Sequence, residues 1–173
     1  MAWTTPRTYT AGETLTAAIL NTHWRDDLSF LYSPPSCRVH EVNTQTITTA
    51  TLTTVTFTSE DWDTDSMHST VSNTGRITTN TVGRYLYAGQ ILWNTGVGYR
   101  EAAIIHSGGS IQAVDVASGV DLLLDQNPVG FIFMAVAEYA ELKVQHNVGS
   151  NVLIFGPNSA RPGSSFMAHW IGN

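Results

Sequence analysis

Counted in twos, the apolar residues of Val82 to Trp93 fall on both sides of an extended chain: Tyr85, Tyr87, Ile91 and Trp93 on one, Leu86, Ala88 and Leu92 on the other. A strand with that pattern is covered on both faces, so the stretch predicts a core strand. Turn formers bound it, Asn80 and Gly83 in front and Asn94, Gly96 and Gly98 behind. The same design continues downstream. Arg100 to His106, Ile111 to Val116, Val120 to Leu124, Val129 to Ala137, Leu142 to His146 and Val152 to Phe155 are short apolar runs, most bounded by Gly, Asn, Pro or Asp, and Phe166 to Ile171 closes the chain. Strands at roughly 8–12-residue spacing with no helical run between them predict an antiparallel sandwich or barrel. About ten strands suit an all-β jelly roll, and no fixed repeat points to a propeller or solenoid.

Ahead of the core strand the pattern is less regular. Arg38 to Val42 predicts a first strand. Within Thr44 to Thr58 the apolar residues Ile47, Ala50, Leu52, Val55 and Phe57 change parity twice, which predicts two short strands separated by a bulge or bend. Glu60 to Ser66 reads as an acidic loop, and Met67 to Ser72 and Arg76 to Thr79 as short strands around Asn73-Thr74-Gly75.

The front of the chain has a different period. Trp3 to Gly12 is rich in Thr with isolated apolar residues and reads as an extended arm. Thr16 is placed to cap a helix, and Thr10-Ala11-Gly12-Glu13 offers an earlier capping box. Ala17, Leu20, Trp24, Leu28 and Leu31 then recur at steps of three or four, one stripe at helical period, while Leu15, Ile19 and Phe30 lie off it. Apolar residues on two sides predict a second partner for the helix, the same helix in a neighbouring chain being one candidate. Pro34 disfavours helical dihedrals at Ser33, which ends the helix. The expected division is an arm and helix over residues 1–35 and a head over residues 36–173.

Composition narrows the functional classes. At 173 residues and 18.8 kDa the chain holds one domain with a short appendage. A net charge of -6 and a pI near 5.3 argue against a nucleic-acid partner, which needs clustered Lys and Arg, and Lys143 is the only lysine. Cys37 is the only cysteine, so no intrachain disulfide can form. No apolar run approaches the ~18–20 residues of a membrane span, and Met1-Ala2-Trp3-Thr4 lacks the features of a signal peptide. The expectation is a protein made in a cytoplasm, with no membrane partner.

Two resemblances rest on particular residues. Thr54-Val55-Thr56-Phe57, Asp61-Trp62-Asp63-Thr64, Val82-Gly83-Arg84-Tyr85-Leu86-Tyr87, Trp93, Arg100, Glu141 to His146 and Ser164-Ser165-Phe166-Met167 occur in an order that resembles the tumour necrosis factor and complement globular-head superfamily of trimeric jelly rolls. That resemblance implies a homotrimer with Tyr85, Tyr87 and Phe166 near the threefold axis. Trp3-Thr4-Thr5-Pro6, Ala11-Gly12-Glu13, Leu15 to Ala18, Leu20-Asn21 and Arg25 to Leu28 resemble the amino-terminal segment of tailed-phage structural proteins. This second resemblance implies a virion protein attached to head or tail through the helix stripe of Leu20, Trp24, Leu28 and Leu31. Decoration protein, head fibre and tail-tip adhesin are all compatible with it.

Candidate chemistry is sparse, and the expectation is a non-enzymatic protein without a cofactor. Glu138 and Glu141, three apart, fall on opposite faces of one strand rather than forming a glycosidase pair. Asp61, Asp63 and Asp65 outline a possible cation loop, although Ser66 and Ser72 stand where an EF-hand needs Gly and Glu. The six histidines show no zinc spacing, no nucleophile elbow or phosphate loop occurs, and Ser107-Gly108-Gly109-Ser110 fits a turn. Trp62, Trp93, Tyr99 and Trp170 are the candidates for a sugar platform on a glycan-binding tail protein, the alternative reading; a polysaccharide depolymerase is a more distant one.

Overall fold

The computed structural model describes residues 4–118, 123–157 and 162–173. Trp3 of the arm and the first part of the strand expected from Val120 lie outside them. Thirteen strands are found among the described residues: β1 (Ser36–His40), β2 (Gln45–Ile47), β3 (Thr53–Thr54), β4 (Ser59–Asp63), β5 (Arg76–Thr78), β6 (Gly83–Trp93), β7 (Arg100–His106), β8 (Ile111–Ala117), β9 (Leu124–Gln126), β10 (Val129–Met134), β11 (Tyr139–His146), β12 (Val152–Ile154) and β13 (Ser165–Gly172). All pairings are antiparallel. One sheet runs β2-β12-β6-β13-β1-β4, with β9 and β10 also on β6, and the other runs β3-β11-β7-β8, with β5 also on β11. The predicted all-β jelly-roll sandwich is the fold of the head.

The strand β6 organises both halves of its sheet. Its first half pairs with β10 on one edge and β13 on the other, and its last residues pair with β9 and β12. Tyr85 and Tyr87 point into the sandwich, where Tyr87 and Phe166 lie 5.6 Å apart and Phe57 stacks on Phe166 at 6.1 Å. The Tyr85 hydroxyl donates to the Thr81 carbonyl at 2.7 Å. The expectation that β6 hides both faces holds only from Ile91 to Trp93. Before that, Leu86, Ala88 and Gln90 are half-covered and Arg84 is exposed, because no layer among the described residues lies over that side.

At the far end Trp93 and Arg100 are fully enclosed. Trp93 Nε1 donates to Gln126 Oε1 at 2.6 Å, and Gln126 Nε2 donates to the carbonyls of Asp115 and Arg100. These bonds satisfy polar groups that have no access to water. His146 bridges Ile47 and Val148 beside the indole.

The helix begins where Thr16 Oγ1 accepts from the Ile19 N–H at 3.3 Å. It runs as α1 (Ala17–Leu20), a π-helical segment (Asn21–Asp26) and α2 (Asp27–Tyr32). The earlier Thr10–Glu13 box makes one of its two bonds, from the Thr10 N–H to Glu13 Oε2; the Glu13 N–H donates to the Thr10 carbonyl instead of its hydroxyl, and the segment forms only a turn. Phe30 inserts against Trp170, and Asp27 accepts the Thr4 N–H. Gly83 leaves room for that indole: a Cβ there would lie 2.2 Å from Trp170 Nε1, and its φ of +151° disfavours a side chain as well.

Two local expectations change. Ser59 to Asp63 is a strand, not a loop, because β1 offers it a paired edge. Met67 to Ser72 is a loop, since the side chain of Asp63 holds it by accepting the Asp65 and His68 N–H groups. The parity changes in Thr44 to Thr58 mark β2 and β3, which belong to different sheets.

Candidate functional site

Antiparallel register carries side chains from five neighbouring strands onto one outward face. Val129, Ala88, Met167, Arg38 and Trp62 form one row across β10, β6, β13, β1 and β4, and Phe131, Leu86 and His169 form the next. Directly opposed residues in such rows lie close enough to act as one surface. On β10, Gly130, Ile132 and Met134 face inward while Phe131 and Phe133 remain 72% and 60% exposed. The edge strand β8 of the other sheet closes this side of the sandwich, since a Cβ on Gly130 would lie 3.2 Å from the Ala113 Cβ; its exposed Val114 and Val116 alternate with Ala113 and face outward from that other sheet. Two large exposed aromatic side chains on one face of a strand mark an interaction surface.

At the opposite edge the face is polar. The β1–β4 register shifts between Arg38 and Val39, which leaves Asp61 as the extra residue of a β-bulge. The bulge lets Asp61 face outward together with Trp62. Asp61 Oδ2 lies 2.9 Å from Arg38 Nη1, and Oδ1 lies 3.1 Å from His40 Nδ1. The Arg38 guanidinium stands 5.9 Å from the centre of the Trp62 ring, itself 44% exposed. Among the described residues, Pro157 and Pro162 line an open pocket of about 330 Å³ together with Arg38, His40 and Asp61.

Tyr85, Tyr87 and Phe166, expected at a threefold axis, are enclosed at 0% exposure within the single chain. They form its own core and present no side-chain surface to another copy; the outward positions of the same sheet are Phe131, Phe133, Leu86 and Met167. The helix stripe is open, with Trp24, Leu28 and Leu31 exposed and Leu20 half-covered. The cation loop is not assembled: Asp61 is paired with Arg38 and His40, Asp63 accepts backbone N–H groups, and Asp65 Oδ2 accepts the Thr81 hydroxyl. No group of three or more metal-ligating side chains occurs among the described residues. Of the candidate platform aromatics, Trp93 and Trp170 are core, Tyr99 is half-covered and donates to Glu101, and Trp62 is exposed.

Electrostatics add no nucleophile. Burial, then Asp63 and Glu60, push the Cys37 thiol well above its usual range, and burial does the same to the Tyr85 and Tyr87 hydroxyls. A buried thiol held in its protonated form is unreactive. Glu138 is lowered, first by the Ala135 N–H and then by His106, while Glu141 pairs with Lys143. Sequence reasoning misses Phe131 and Phe133 because Val129 to Met134 is apolar at both parities except Gly130. Only pairing decides which parity faces out.

No protein-family model and no curated protein sequence matches this chain. Solved structures do. The globular domain of zebrafish complement 1qA aligns with TM-score 0.56 and 14% identity over 80% of this chain and 99% of that one. Eiger TNF from S. frugiperda aligns with TM-score 0.61 and 14% identity over 80% and 94%, and murine APRIL at pH 5.0 with 0.60 and 12% over 79% and 98%. The chain has the jelly-roll fold of these globular heads. At such identities the likeness concerns fold alone, and it covers the same share of the chain as the head without the helix.

Proposed function

We propose that this chain is a non-enzymatic virion structural protein of a tailed phage, a homotrimer that docks through its amino-terminal segment and projects the jelly-roll head. The observation that carries the reading is that one chain leaves two separate apolar surfaces open, the Phe131–Phe133 flank and the Trp24–Leu28–Leu31 stripe. In the trimer the exposed Phe131 and Phe133 on β10 of one head pack on the Leu86 and Met167 part of the same outward face of the next. Unlike surfaces meeting head to tail close into a ring when the rotation permits. Each Phe so buried contributes roughly 1.5–3 kcal/mol before ordering costs, and three contacts repeat the gain. The stripe on the helix is left for the particle, which agrees with the phage-like residues between Thr4 and Leu28. A decoration or head-fibre role needs no chemistry beyond this binding.

Light scattering of the full chain across a dilution series is expected to give a concentration-independent mass of three chains. Phe131→Glu combined with Phe133→Glu is expected to give a folded monomer. A wild-type monomer would overturn the trimer. Removing residues 1–33 is expected to leave the trimer intact and abolish co-sedimentation with phage particles; retained co-sedimentation would overturn the docking role.

A further inference from the structure

We propose that the corner formed by Arg38, His40, Asp61 and Trp62, with Pro157 and Pro162, is a binding subsite for a neutral hexopyranose residue of a surface glycan. This adds a ligand-binding activity to the structural role and does not depend on it. In the β1–β4 corner β1 lies two strands and β4 three strands from β6, about 10–14 Å at the usual strand spacing, with Arg38 directly opposite Met167 and His40 and Asp61 beyond it.

The polar groups are fixed in advance. Asp61 is turned outward by the bulge and holds both Arg38 and His40, so the three side chains lock one another. Such mutual fixing reduces the ordering cost of binding. With Nδ1 directed at the carboxylate, His40 carries its proton there in the neutral form and presents Nε2 as an acceptor. No partner is present among the described residues for His40 Nε2 or for the remaining Arg38 N–H groups. One sugar hydroxyl can therefore donate to His40 Nε2 while its neighbour accepts from Arg38. A vicinal diol on a pyranose ring supplies that donor and acceptor pair.

The charge balance selects a neutral ligand. The Arg38 and Asp61 charges cancel, so the corner offers no net positive charge to an anionic sugar. Apolar surface stands beside the polar groups. The pyrrolidine rings of Pro157 and Pro162 wall the pocket, whose volume of about 330 Å³ accommodates one ring of a sugar. Trp62, next to Arg38, offers an exposed indole for the C–H face of an adjoining residue. The pocket adjoins His40, at the end of β1 opposite Ser36, where the helix joins the head. A head attached by its helix would turn this corner away from its anchor.

Saturation-transfer NMR on the full-length protein would use methyl β-D-galactopyranoside, methyl α-D-glucopyranoside and methyl α-D-mannopyranoside, with N-acetylneuraminic acid as the charged comparator. At least one neutral glycoside is expected to bind, and Arg38→Ala and Trp62→Ala are each expected to weaken it by about tenfold or more, as loss of a hydrogen-bonding or stacking partner does. In the unsubstituted protein, where no variant can misfold, the bound glycoside is expected to shift the backbone resonances of Arg38, His40 and Trp62. Absence of binding by all three glycosides, preference for N-acetylneuraminic acid, or shifts confined to other residues would each overturn the proposal.

Discussion

The Phe30 ring stands edge-on to the Trp170 indole, centroids 4.9 Å apart and planes at 89°, and this contact seats the helix on the closing strand of the head. Phe30 and Asp27 are the only buried residues of the three helical segments, so the helix is held mainly through its last turn. Phe30→Ala removes the ring and leaves a cavity against Trp170. The expected cost is about 3–5 kcal/mol if the site does not collapse. Denaturant unfolding of the full chain measures it, and hydrogen exchange should show the helix amides losing protection before those of β6. Equal loss throughout the head would show that the helix is part of one cooperative unit.

The single thiol makes a second prediction. Cys37 is enclosed at the start of β1, and burial opposes its ionisation. Native protein is expected to resist alkylation by iodoacetamide at neutral pH, and labelling should track the unfolding transition in urea. Rapid labelling of the native chain would mean that β1 opens independently of the rest.

Glu138 makes a third, concerning pH. Its carboxylate accepts the Ala135 N–H at 2.7 Å and lies 3.2 Å from His106 Nε2, and both partners lower its pKa. A lowered folded-state pKa contributes stability that is complete above the ordinary carboxylate range and disappears as pH falls through the folded value. Glu138→Gln keeps an acceptor but removes the charge. The stability gap between wild type and Glu138→Gln should therefore be largest at neutral pH and close under acid conditions. Chemical denaturation across that pH range checks it, and a gap that widened in acid would reverse the assignment. Because the group is more than a third exposed, the effect should be small.

Elements with local causes were legible in the order of amino acids alone. Thr16 can cap only a helix on its carboxyl side, and Pro34 can end only a helix on its amino side. The run from Gly83 to Trp93 has no helical period, so the helix and the core strand could both be read directly. The jelly-roll class came from the spacing of short apolar runs. Contacts between residues far apart along the chain set the rest. Tyr85, Tyr87 and Phe166 read as candidates for an axis, yet β13, Phe57 and the opposing sheet enclose them within one chain. Phe131 and Phe133 became the outward pair because pairing with β6 fixed the parity of β10. Asp61 left the expected cation loop for Arg38 and His40 because the register shift in β1–β4 is a property of two strands, and neither strand's composition encodes it alone.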